Sequence, residues 1–130
     1  MARETKEKKL KNREFEKLKE NIRQRFVSTA RAVYGRDIAD LSAHEIYQTV
    51  ANTARQFISE NWIRTNKIYS ERQEKQVFYF SIEFLLGRLL KSNLINLGIE
   101  EAVKEVLAGF DLDIAKTFEE EPDAGLGNGG

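Results

Sequence analysis

The chain has 130 residues, 41% hydrophobic and 32% charged, a composition that suits one water-facing domain with a modest core. It holds no cysteine and one histidine, His44, which excludes disulfide scaffolds, zinc fingers, cysteine nucleophiles and multi-histidine metal centres. No apolar run reaches membrane-spanning length and no hydrophobic signal core follows the charged N-terminus, so a cytoplasmic protein without membrane contact is expected. Net charge is zero but uneven: residues 1–36 carry twelve Lys/Arg against five Glu, and residues 37–130 carry nine against sixteen acids. A basic run of this kind is either a solvated helix face or an arm for nucleic acid or an acidic partner.

In chain order, Phe15, Leu18, Ile22, Phe26, Ala30 and Val33 recur at steps of three and four and predict a helix with one apolar face. The stretch before Phe15 is nearly all charge and prone to fray, and Gly35 ends the helix. Ser42 and Glu45 have capping-box spacing, each side chain able to accept from a free N–H at a helix start. Behind them Ile46, Val50, Ala54, Phe57, Ile58 and Trp62 predict a second helix to about Glu71. His44, in its first turn, reads as a surface residue without a catalytic partner.

The period then changes. Val77, Phe78, Tyr79, Phe80, Ile82 and Phe84 form a nearly continuous β-branched and aromatic run, which predicts a strand buried on both faces. Helices are expected around Leu86–Leu97, closed by Gly98, and around residues 100–108, closed by Gly109, with a short piece stopping at Pro122. The acidic group Glu119, Glu120, Glu121 and Asp123 lacks the alternating ligand spacing of a calcium loop and reads as a solvated turn. The sequence closes on "GLGNGG", which formally satisfies G-x-G-x-x-G at Gly125, Gly127 and Gly130. It follows an acidic, proline-broken stretch instead of a buried strand, so the dinucleotide reading fails on context. An anion-binding nest of backbone N–H groups and a flexible tail both remain compatible with those six letters. A strand without neighbours and a phosphate-type loop without its helix together suggest the front of something longer.

Three stretches carry a resemblance. "WIRT" at Trp62–Thr65, "FSIEFLLGR" at Phe80–Arg88 and "DAGLGNGG" at Asp123–Gly130, with "NLG" at Asn96–Gly98 between the last two, resemble the N-terminal part of α-glucan (glycogen, starch, maltodextrin) phosphorylases. The resemblance covers residues 42–130, and the basic first forty residues match poorly. It divides the chain into a basic helix and connection, 1–41, and the start of an N-terminal α/β domain, 42–130. The fold class implied is a mostly α stretch with one buried strand. The parent fold is α/β, with two Rossmann-like domains around a cleft (a GT-B glycosyltransferase).

The resemblance implies phosphorolysis of terminal α-1,4-linked glucose by orthophosphate to glucose 1-phosphate, with α-1,4-glucan and orthophosphate as partners and a homodimer when full length. It implies pyridoxal 5′-phosphate as cofactor, on a lysine outside these residues, so the 130 residues alone are expected to be inactive. Gly127, Asn128, Gly129 and Gly130 match the loop facing substrate phosphate, glucose and cofactor, where a Cβ would hold the backbone off the ligand. Glu83 matches a supporting carboxylate of the cleft; its plainer alternative is an ion pair with Arg88. Departures point to a bacterial-type, unregulated enzyme: Ser70 stands where AMP-responsive animal enzymes have a tyrosine, and Leu85 where they have an aromatic. The competing class is a non-enzymatic helical module binding an acidic partner or nucleic acid through residues 1–36.

Overall fold

The computed structural model describes residues 2–82 and 86–124, with side chains from residue 6. The described elements are α1 (Ala2–Tyr34), a 3₁₀ turn (Ile38–Asp40), α2 (Ala43–Arg72), α3 (Leu90–Asn96), α4 (Glu100–Ala108) and α5 (Ile114–Glu119).

The helix boundaries have local causes. α1 stops where Gly35 turns left-handed at φ +63° and donates to the Arg31 carbonyl at 2.9 Å. Its charged first turns are helical from Ala2 onward, since Lys, Glu and Arg are good helix formers and nothing in the stretch breaks the ladder. α2 opens on the full capping box: Ser42 Oγ accepts from the Glu45 N–H at 3.3 Å, and the Glu45 carboxylate accepts from the Ser42 N–H at 2.8 Å. It runs unbroken to Arg72 and ends on Gln73, itself left-handed at φ 49°. Gly98 turns left-handed at φ +69° between α3 and α4, and the Asp113 side chain caps α5 by accepting from the Ala115 N–H at 2.9 Å.

The two long helices pack on each other, α4 lies against α1, and α3 and α5 lie against α2. One core results: Ile22, Phe26 and Ala30 from α1, Ile46, Val50 and Ala54 from α2, Leu90 and Leu94 from α3, and Ala102, Val103, Val106 and Leu107 from α4. The Phe26 ring meets that of Phe110 at 5.8 Å and 55°. Buried Thr49 and Thr53 donate to the Glu45 and Thr49 carbonyls at 2.7 and 2.9 Å, so their hydroxyls are satisfied within α2.

Two expectations are corrected. The apolar stripes are buried only where a partner lies across them: Val33 is 56%, Ile58 39% and Trp62 67% exposed. The buried strand is also absent among the described residues. Val77, Tyr79 and Ile82 are 95%, 82% and 99% exposed, and residues 74–81 have no regular structure. A strand needs neighbours for its N–H and C=O groups, and the described elements are all helical. The described chain is thus mostly helical, its single β-type pairing an isolated antiparallel bridge between Gly87 and Ala124.

Candidate functional site

Glu83 and the glycine-run residues Gly127, Asn128, Gly129 and Gly130 lie outside the described residues, as do Leu85 and Gly125. The structure describes their flanks, and it brings those flanks together. The stretch after Glu83 meets the stretch before Gly125 at the Gly87–Ala124 bridge. Gly87 is left-handed at φ +62°; a Cβ there would sit 3.9 Å from Asp123 Oδ1, ordinary contact, so backbone conformation is what favours glycine.

One side chain ties the flanks more firmly. The Glu121 carboxylate accepts from the Leu89 N–H at 2.8 Å and from the Leu90 N–H at 2.9 Å, across more than thirty residues of chain. These are free donors at the start of α3, whose own N-cap, Leu89, has no side-chain acceptor. The acidic turn expected to be solvated therefore contributes a half-buried helix cap. The sequence held no specific signal for it: a helix start without Ser, Thr, Asp or Asn leaves its first N–H groups to water or to a distant acceptor, and α4, which starts at Ile99 without a side-chain cap, shows that a distant one is not required. Tyr47 of α2 is half-buried, and burial, followed by the negative charge of Glu121, holds its phenol above the usual tyrosine range.

Other residues marked in the sequence are spread over the surface. Arg88 is exposed and forms no ion pair with a described residue. Trp62 and Ile63 of "WIRT" are 67% and 66% exposed on α2, and residues 66–70 beyond them are exposed too. His44 is at the surface, as expected, beside the Tyr47 ring at 5.7 Å. On α1, Lys6, Lys8, Lys9, Lys11, Arg13 and Lys17 are exposed and unpaired among the described residues. Lys19 differs: bonds to Glu105 at 2.7 Å and Glu16 at 2.8 Å raise its pKa and tie α1 to α4. No group of three metal-ligating side chains occurs among the described residues, and no described helix is long and apolar enough to cross a membrane.

Known proteins are similar to this sequence. Glycogen phosphorylase of Bacillus subtilis (strain 168) is 38% identical over 112 residues, 86% of the chain and 14% of that protein. Glycogen phosphorylase of Chlamydia trachomatis is 46% identical over 89 residues, 68% of the chain and 11% of the relative. The brain form of glycogen phosphorylase from Bos taurus is 42% identical over 86 residues, 66% of the chain and 10% of the relative. The chain thus spans 14% or less of the length of these relatives. No protein-family model matches it.

Proposed function

This chain is homologous to the glycogen phosphorylases, and from that homology we propose that it forms the opening part of an α-glucan phosphorylase of bacterial type. The whole enzyme cleaves terminal α-1,4-linked glucose from a glucan with orthophosphate and releases glucose 1-phosphate. The observation that carries this reading is identity of 38% sustained over 86% of the chain. In it, residues 42–130 begin the first of two Rossmann-like domains, residues 1–41 precede that domain, and the enzyme is a cytoplasmic homodimer.

The glycine run supplies backbone N–H groups to a doubly charged phosphate, where fixed dipoles stabilise charge without reorganising. Gly127, Asn128, Gly129 and Gly130 take that role, and Glu83 is the supporting carboxylate of the cleft. Pyridoxal phosphate, when bound, supplies its phosphate group for acid–base work on the substrate phosphate. No described residue is assigned to its lysine or its pocket. The exposed apolar residues Val77, Phe78, Tyr79, Phe80 and Ile82 support the reading, since so large an apolar surface fits one covered by the rest of the enzyme.

The test is a transplant. This chain replaces its matched stretch in the Bacillus subtilis enzyme, and glucose 1-phosphate release from glycogen and orthophosphate is followed. The chimera is expected to be active and indifferent to AMP. Gly129→Ala should lower kcat by about 10²-fold, the scale of losing one preorganised donor. A folded chimera that binds pyridoxal phosphate but releases no product refutes the reading, and a several-fold rise with AMP refutes its unregulated character.

The unpaired cations of α1 favour a second reading, an arm for an acidic partner or nucleic acid. Electrostatic binding of that kind falls steeply with salt, so absence of binding at about 50 mM salt removes it.

A further inference from the structure

We propose that Glu121 is a positioning residue, a latch that fixes where the glycine run leaves the fold by tying its approach to the start of α3. Three observations meet at this point. The carboxylate takes two backbone donors at once, Leu89 N–H at 2.8 Å and Leu90 N–H at 2.9 Å. Three residues further on, Ala124 pairs with Gly87, so the contact is doubled by backbone on the same side. Pro122, between the two contacts, restricts the chain to a narrow range of φ and disfavours helical backbone at Glu121.

The cheapest cap for a helix start is a neighbouring Ser, Thr, Asp or Asn, and α4, starting at Ile99, does without a side-chain cap altogether. Here the acceptor comes from beyond α5 and closes a loop of about thirty residues. What lies next to it is the glycine run, which has almost no side chains with which to anchor itself. Its starting point must be set by whatever holds Ala124, and Glu121 with the Gly87 bridge holds it. The chemistry also selects glutamate. Both carboxylate oxygens accept, whereas glutamine offers one oxygen and turns an NH₂ toward a donor, and alanine offers nothing. The functional consequence, a phosphate-facing loop held in register, rests on the proposed function above; the latch itself does not.

The experiment uses the 130-residue chain and needs no substrate. Amide exchange and ¹H–¹⁵N spectra are recorded for the wild type, Glu121→Ala and Glu121→Gln. In Glu121→Ala, the Leu89 and Leu90 amides should exchange about ten- to a hundredfold faster, the scale of one or two lost charge-assisted bonds. The Gly125 and Gly127 resonances should move toward those of a free glycine-rich peptide, while the amides of Phe26, Val50 and Val103 keep their protection. Glu121→Gln should lie between, and it carries the test should the alanine variant fail to fold. Unmoved Gly125 and Gly127 resonances beside faster Leu89 and Leu90 exchange would reduce Glu121 to a helix cap. Unchanged Leu89 and Leu90 exchange would remove the latch altogether. Neither result touches the phosphorylase reading, and an inactive chimera would leave the latch standing.

Discussion

Phe26→Ala is the sharpest perturbation of the core, because Phe26 joins α1 to the rest of the molecule. The ring is 2% exposed, packs within the cluster shared by α1, α2, α3 and α4, and meets Phe110 between α4 and α5. Deleting a buried phenyl costs about 3–5 kcal/mol through lost transfer energy and the cavity left behind. About 1 kcal/mol of that reflects the tilted contact with Phe110. Against a total stability of about 5–15 kcal/mol the loss is severe, and it corresponds to a fall in Tm of roughly 10–20 °C for a chain of this size. Far-UV circular dichroism through urea and heat measures it; the fluorescence of Trp62, 67% exposed, is a poor reporter of core loss. Val33→Ala is the control: it lies on the same predicted stripe but is 56% exposed, so it should change stability by no more than about 0.5 kcal/mol. A Phe26→Ala variant within 1 kcal/mol of wild type would refute a core shared between α1 and α4, and would make α1 the separate arm of the second reading.

Three further outcomes follow from local features. Hydrogen bonding from the Ser42 backbone, then from its side chain and Arg36, holds the Glu45 carboxyl below its ordinary 4.5. A depressed folded pKa gives stability that is present above the unfolded value and lost as pH falls through the folded one, so Tm should drop below about pH 4.5 and drop less in Glu45→Gln. Chymotrypsin should cut first after Phe78, Tyr79 or Phe80, which are 70%, 82% and 88% exposed in a segment without regular structure; mass spectrometry of early products showing first cuts at Phe26 or Phe110 would contradict the fold. Gln73→Gly, at a left-handed φ of 49°, should stabilise by about 0.5–1 kcal/mol in urea titration.

Helix ends were the most legible feature of the sequence. Gly35, the Ser42–Glu45 box and Gly98 each act within a few residues, so local letters suffice to find them. Val33, Ile58 and Trp62 show what periodicity cannot carry: it marks an apolar face, not whether an element lies across it. The 77–82 run fails for the same reason, since strand propensity measures fit to a sheet and no sheet is described. Glu121 was illegible in a different way. Its donors are more than thirty residues back, beyond any local motif, and the bare start of α3 is no pointer, since α4 starts as bare and has no such acceptor. The family was legible through resemblance, and relatives at 38–46% identity bear it out, while Glu83 and the glycine run lie outside the described residues.

The same molecule therefore has a finished side and an open one. Ile22, Phe26, Val50, Leu94 and Val103 close a dry core from four helices, with no buried side-chain polar atom left unpaired among the described residues. Trp62, Ile63, Ile68 and Tyr69 on the far half of α2, and Val77, Phe78, Tyr79, Phe80 and Ile82 after it, are exposed and follow one another along the chain. Large apolar side chains exposed in such number mark an interface or an aggregation hazard where they gather into a patch. Glu121 belongs to the finished side, since its carboxylate holds the start of α3. The core positions α3; α3, through Leu89 and Leu90, positions the approach to the glycine run. The order of dependence runs from packing to cap to loop, so core variants such as Phe26→Ala should disturb the Gly125 and Gly127 resonances, whereas Glu121→Gln should leave the core amides protected.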